Sequence, residues 1–146
     1  MTAVLAIIHA GLAAAWVGGM AYSLFVIQPK LKRYFGPDAA GREALTTVIA
    51  SGNRWKVIGL IVAITLSGVG LLLLNDEHWW IHAIKGMLLL MATVIFWYVS
   101  WKHWPARVFA TTAELPVLQR RLIVLATTML ALAGLAFALG VVATHL

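Results

Sequence analysis

Residues 3–27 read AVLAIIHAGLAAAWVGGMAYSLFVI. The run carries no charged side chain, and His9 is its only group that titrates near neutral pH. A helix that crosses a bilayer needs about 20 mostly apolar residues, so this stretch predicts a membrane span. Three further stretches meet the same criterion: 57–74, 79–101 (interrupted by His82 and Lys85) and 122–144. The expected fold is an all-α integral membrane protein. It is a single domain over residues 1–146, built as a four-helix up-down bundle. The first run has no basic leader and no convincing cleavage site, so it is expected to persist as a span rather than be removed as a signal peptide.

Composition agrees. Hydrophobic residues make up 62% of the 146 and charged residues 11%, less than half the roughly 25% of an ordinary soluble domain. Mean hydropathy is +0.92. A soluble chain of this length buries only about 70% of its unfolded surface, too little to hide so much apolar side chain. Disorder is excluded by the same numbers. There is no cysteine, which excludes disulfides, iron–sulfur clusters, thiolate zinc and a cysteine nucleophile. No acidic residue lies in a span, so a catalytic carboxylate pair is absent. No Gly-x4-Gly-Lys phosphate loop appears.

The net charge of +6 reads as a topology signal rather than a nucleic-acid footprint. Lys30, Lys32, Arg33, Arg42, Arg54 and Lys56 fall between spans one and two; Lys102, Arg107, Arg120 and Arg121 fall between spans three and four. Of the 11 Lys and Arg residues only Lys85 lies elsewhere. The positive-inside rule then puts these two loops in the cytoplasm of a bacterial inner membrane and both termini outside, in the periplasm.

Local signals mark the helix ends. Pro37-Asp38 predicts the start of a helical extension leading into span two, with a weak point at Gly52-Asn53. Asn75 or Asp76 is the expected cap of span three. Pro105 and Pro116 argue against one continuous helix through the third loop. Gly11, Ala15 and Gly19 on span one, Gly134 and Ala138 on span four, and Ser67, Gly68 and Gly70 on span two predict faces of close helix approach. The short link after span two predicts that spans two and three pack as neighbours.

An ionisable residue inside a membrane is a functional candidate by default. His9 and His82 each lie five or six residues in from the same side, roughly 8 Å along their helices. Two imidazoles at one depth can bracket a flat macrocycle and give its iron one nitrogen each; neutral imidazole also ligates copper or zinc. A lone histidine in a span is more often a core residue bonded to a carbonyl or a serine. His78, one turn before His82, is a further candidate ligand or a wet interfacial residue, and His145 lies at the chain end. Lys85, three residues after His82, either snorkels to the headgroups or meets an anion such as a haem propionate. The inner face of span one reads His9, Ala13, Trp16, Met20, Ser23. Trp16 and Met20 are candidates to wall a cofactor, although such a stripe is more often packing. Trp97 is a second intramembrane pocket candidate, and Met87 and Met91 are soft donors that suit monovalent copper. Trp55, Trp79, Trp80, Trp101 and Trp104 read as interfacial belts.

His9-x6-Trp16-x-Gly18-Gly19, followed by Pro29, Arg54-Trp55, Ser67-Gly68 and His82, resembles the copper-resistance D (CopD) family over about residues 5–110, especially its short single-domain members. His9 with Trp80-x-His82-x-x-Lys85 is also similar to the HemJ family of haem-linked protoporphyrinogen oxidases. The lysine spacing is shifted by one from that family's pattern, and its arginine-rich signature is missing. The first resemblance implies copper, the second haem. A copper path needs rungs of histidine or methionine through the membrane, whereas these histidines stop at one depth.

The leading expectation is therefore a b-type haem held by His9 and His82, serving electron transfer or haem handling. Trp16, Met20 and Lys85 would line it, and a haem-dependent oxidoreductase would be its enzymatic form. The alternative is copper bound or taken up through His9, His82 and His78. A third reading is an assembly subunit with no ligand. The lipid bilayer is the one partner the sequence requires. A quinone, another redox partner and a homo-oligomer are all compatible with it, and nucleic acid is not.

Overall fold

The structure, a computed structural model, describes residues 2–74 and 79–143. The described residues are helical apart from short turns. Seven α-helices follow one another: α1 (Thr2–Tyr22), α2 (Gln28–Phe35), α3 (Ala39–Ala50), α4 (Asn53–Leu74), α5 (Trp79–Tyr98), α6 (Trp104–Val108) and α7 (Leu115–Ala143). Two π-helical turns, Ser23–Ile27 and Val99–His103, join α1 to α2 and α5 to α6. Four continuous helical stretches are long and apolar enough to cross a membrane: Thr2–Phe35, Asn53–Leu74, Trp79–Val108 and Leu115–Ala143.

The π turns have a cause in the sequence. Pro29 and Pro105 each stand second in the helix that follows. Proline has no N–H to give to the carbonyl four residues back, and its ring crowds that carbonyl. The carbonyls concerned belong to Phe25 and Trp101, both inside the widened turns. A π turn takes up the misfit without ending the helix. Pro105 therefore does not stop the third span, as its sequence position suggested. The break comes later, in the turns between Val108 and Leu115. Pro116, at the second position of α7, stands where proline costs least.

The loop between spans one and two follows its sequence signals. The Asp38 side chain accepts from the Gly41 amide at 2.8 Å and caps α3. Gly36 (φ +53°) and Gly52 (φ +75°) adopt backbone angles that side-chain-bearing residues avoid, and they end α2 and separate α3 from α4. The proposed caps Asn75 and Asp76 lie outside the described residues.

The long helices alternate in direction. His9, near the start of α1, meets Ser67 near the end of α4. Arg54, at the start of α4, meets Ser100 just past the end of α5. Lys85, early in α5, lies against Gly140 late in α7. The bundle thus has one end that carries the basic loops and another that carries the chain termini, below called the basic end and the terminal end. The closest pairs are α1 with α4 and α5 with α7; α1 also packs along α7. Helices α1 and α5 stand on the diagonal. Sequential α4 and α5 meet only along a narrow seam, because the small face of α4 is given to α1: Gly68 receives the His9 ring and Gly70 the Leu5 side chain.

The core joins all four stretches: Trp16 from α1, Ile64 from α4, Ala92 and Phe96 from α5, Met129 and Ala133 from α7. Span hydroxyls are satisfied locally. Thr65, Ser67, Thr93, Thr127 and Thr128 each donate to the carbonyl four residues earlier, so these hydroxyls are satisfied within their own helix. Gly11, Ala15 and Gly19 depart from expectation. All three are exposed, and a Cβ added at Gly11 or Gly19 would touch nothing. That stripe faces out of the bundle, and Ala138 is likewise exposed. The glycines of the long helices that admit a neighbour's side chain are Gly68, Gly70 and Gly140 among the described residues.

Candidate cofactor-binding site

At the terminal end, α1 turns His9 toward α4. Its Nδ1 lies 2.8 Å from the Ser67 Oγ. The Ser67 hydroxyl is itself 2.7 Å from the Ala63 carbonyl and 3.1 Å from the Ile64 carbonyl. Carbonyl oxygens only accept, so the serine proton goes to them, and the serine oxygen accepts from His9. The neutral imidazole is thereby fixed with its proton on Nδ1, and Nε2 keeps its lone pair. This is how a ligating histidine is commonly oriented, its second nitrogen donating to a neighbour. Gly68 makes room for the ring: a Cβ there would stand 3.2 Å from the His9 Cε1.

Helix α5 brings His82 and Lys85 to the same neighbourhood. Both stand within electrostatic reach of His9. His82 is half-buried. Lys85 is also half-buried, and its ammonium lies across α7, where a Cβ at Gly140 would come within 3.1 Å of Nζ. Among the described residues the carboxylates, Asp38, Glu43 and Glu114, all belong to the loops of the basic end. The terminal end therefore gathers two imidazoles and an ammonium with no described carboxylate among them.

The remaining sequence candidates separate. Trp16 is buried in the central core, and Met20 packs against that core. Met87, Met91 and Trp97 are exposed. Trp97 is stacked on Trp101, the ring centroids 4.0 Å apart, so it faces outward rather than into a pocket. His78 and His145 lie outside the described residues. Among the described residues no three His, Cys, Asp or Glu side chains come together as a metal-ion cage.

This geometry bears on what the site can hold. A bare copper or zinc ion draws three or four donors from the protein. A haem iron brings four nitrogens of its own and asks for one or two more. The described residues of this end offer one oriented imidazole, a second nearby and an ammonium; the third candidate donor, His78, lies outside them.

The Ser67 contribution was open to discovery from sequence. Ser67-Gly68 stood out as small, but nothing in the spacing assigned it to His9. A second polar cluster, at the basic end, had no sequence signal beyond its charge. There Arg107 pairs with Glu43 at 2.7 Å, and Gln119 donates to Glu43 at 3.1 Å and to the Ala39 carbonyl at 3.2 Å. Fully buried His103 sits beside them, neither ring nitrogen meeting a partner in hydrogen-bonding geometry. No family model, curated protein or solved structure matches the chain.

Proposed function

We propose that the chain is a multi-pass membrane protein that binds b-type haem at the terminal end of its bundle, for electron transfer or haem handling. In this reading the basic end faces the cytoplasm and the haem site the periplasm, as the distribution of Lys and Arg indicates. The single observation that carries the proposal is the His9–Ser67 hydrogen bond, which leaves Nε2 as a directed, unprotonated donor. His9 and His82 are the proposed axial ligands and Lys85 the propionate partner. Haem held there would supply one-electron chemistry. The protein's own share is to fix the imidazole tautomer through Ser67 and to exclude water with the core beneath, at Trp16.

Purified protein should show the absorption spectrum of low-spin haem. His9→Ala and His82→Ala should each abolish or sharply reduce that spectrum with helical content unchanged, and His103→Leu, at the opposite end, should not. Unchanged spectra in both histidine variants would remove the proposal. A colourless protein that retains copper through His9 and His82 would favour the copper reading instead.

A further inference from the structure

We propose that a second site, a cavity at the basic end, binds a single-headed anionic amphiphile. Its carboxylate or phosphate would be held by Arg54, with its hydrocarbon part along Ile27, Leu31, Val57 and Phe96.

The cavity encloses about 510 Å³, within the roughly 300–1,000 Å³ of small-molecule pockets. Its walls come from every part of the basic end, and both π turns face it: Ser23 and Ile27 from the first, Val99 and Ser100 from the second. Such widened turns recur at functional sites. The proline-driven expansion of two spans thus borders one space.

Its charge is unbalanced. The Arg54 guanidinium donates to the Ser100 carbonyl and lies over the Trp101 ring at 4.7 Å. It meets no carboxylate among the described residues. Arg107 is 3% exposed; its charge is matched by Glu43, but its Nε is buried with no partner. The described carboxylates are committed elsewhere: Asp38 caps α3, Glu43 pairs with Arg107, and Glu114 is held by Thr111. One unbalanced positive charge, that of Arg54, therefore borders a cavity otherwise lined by the Glu43-paired Arg107, apolar side chains and neutral polar ones. Arg54 is half-buried and meets no described carboxylate, and guanidinium suits carboxylate or phosphate. The sign excludes a metal cation. The buried Leu31 and Phe96 on the wall disfavour a fully hydrated anion. An anionic head on a hydrocarbon body satisfies both parts. It could be supplied by an acidic lipid of the surrounding leaflet or by a water-borne carboxylate.

The test uses the full chain in neutral detergent, titrated with dibromostearate, whose bromines quench nearby tryptophans such as Trp55 and Trp104 on the cavity wall. Saturable quenching is expected, at least ten-fold weaker for dibromostearyl alcohol and for Arg54→Gln, and less weakened for Arg54→Lys. Ile49→Phe adds bulk to the cavity wall from α3 and leaves both arginines in the chain, and it should weaken binding too; it decides alone if Arg54→Gln loses helical content. Equal affinity for acid and alcohol, or wild-type affinity in the deciding variant, would overturn the proposal. So would displacement of the acid by inorganic phosphate at equal concentration. Displacement by phosphatidylglycerol but not phosphatidylcholine assigns the ligand to the bilayer. Displacement by neither assigns it to a water-borne carboxylate, and both results uphold the anionic amphiphile.

Discussion

Arg107 and Glu43 meet at 2.7 Å with both side chains withdrawn from solvent, so a helix from one basic loop is pinned to a helix from the other. The pair joins residues that are remote in sequence and closes the basic end. Removing one partner leaves a buried charge uncompensated, which typically costs about 3–5 kcal/mol. Glu43→Gln should therefore lower the thermal unfolding midpoint markedly in detergent. Glu43→Leu combined with Arg107→Met should recover most of the loss, since an apolar replacement of a buried pair is often neutral. Additive losses in the double variant would show that the two residues act separately.

Ser67→Ala removes the acceptor of the His9 Nδ1 proton but leaves the imidazole. Loss of such an orienting neighbour generally costs about 10–100-fold in metal affinity. Haem titration followed at the Soret band should show that weakening with the band position unchanged. An affinity equal to wild type would mean that the core holds the ring without the serine.

Lys85→Met should leave the Soret position in place and speed the loss of haem in detergent, because it removes only the proposed propionate partner. Gly140→Ala should be nearly silent. The atom its new methyl would approach is the far end of a flexible lysine, which can shift by a few tenths of an ångström. Equal haem retention by Lys85→Met and wild type would return Lys85 to the headgroups.

The orientation is tested by two single cysteines in a chain that has none of its own. Tyr34→Cys, at a position 83% exposed between α1 and α3, should label only from the cytoplasmic side. Asp76→Cys, in the link after α4 and outside the described residues, should label only from the periplasmic side. Labelling of Tyr34→Cys from the periplasm would invert the topology.

Acid should loosen the start of α7. Thr111 donates its amide at 2.8 Å and its hydroxyl at 2.7 Å to the Glu114 carboxylate, and these bonds hold that carboxyl below its ordinary value of 4.5. A group lowered in the native state contributes stability that is full above the ordinary value. The contribution declines as pH falls below 4.5 and is gone once the pH has passed the lowered native value. Hydrogen exchange at the amides of 114–118 should accelerate over that interval. Thr111→Val should narrow it.

The spans, the Asp38 cap, the break at Gly52 and the inward face of His9 were legible because each is a local signal: a run of apolar residues, a capping side chain, a residue free to take positive φ. What escaped was pairwise. Arg54 and Arg107 read as topology charges, because a sequence displays a charge and not its partner 46 or 64 residues away. The outward turn of Gly11, Ala15 and Gly19 was hidden for a related reason. Small residues permit close approach on any face, and only the rotation of α1 toward α4 chooses which one is used. The third loop is broken, as its prolines suggested, but at 109–114 rather than at Pro105, whose effect was absorbed one turn upstream.

That absorption has an angular consequence. A π turn holds about one residue more than an α turn, so everything downstream is rotated by about 100° relative to an uninterrupted α-helix. Deleting one residue from Val99–His103 would leave an apolar helix of nearly the same length, but Arg107 would swing away from α3. Glu43 would then stay behind as a buried acid without its counter-ion, held by Gln119 alone among the described side chains. The phase of one helix, set by a single surplus residue, decides which loop cation is drawn inside and which remain on the surface.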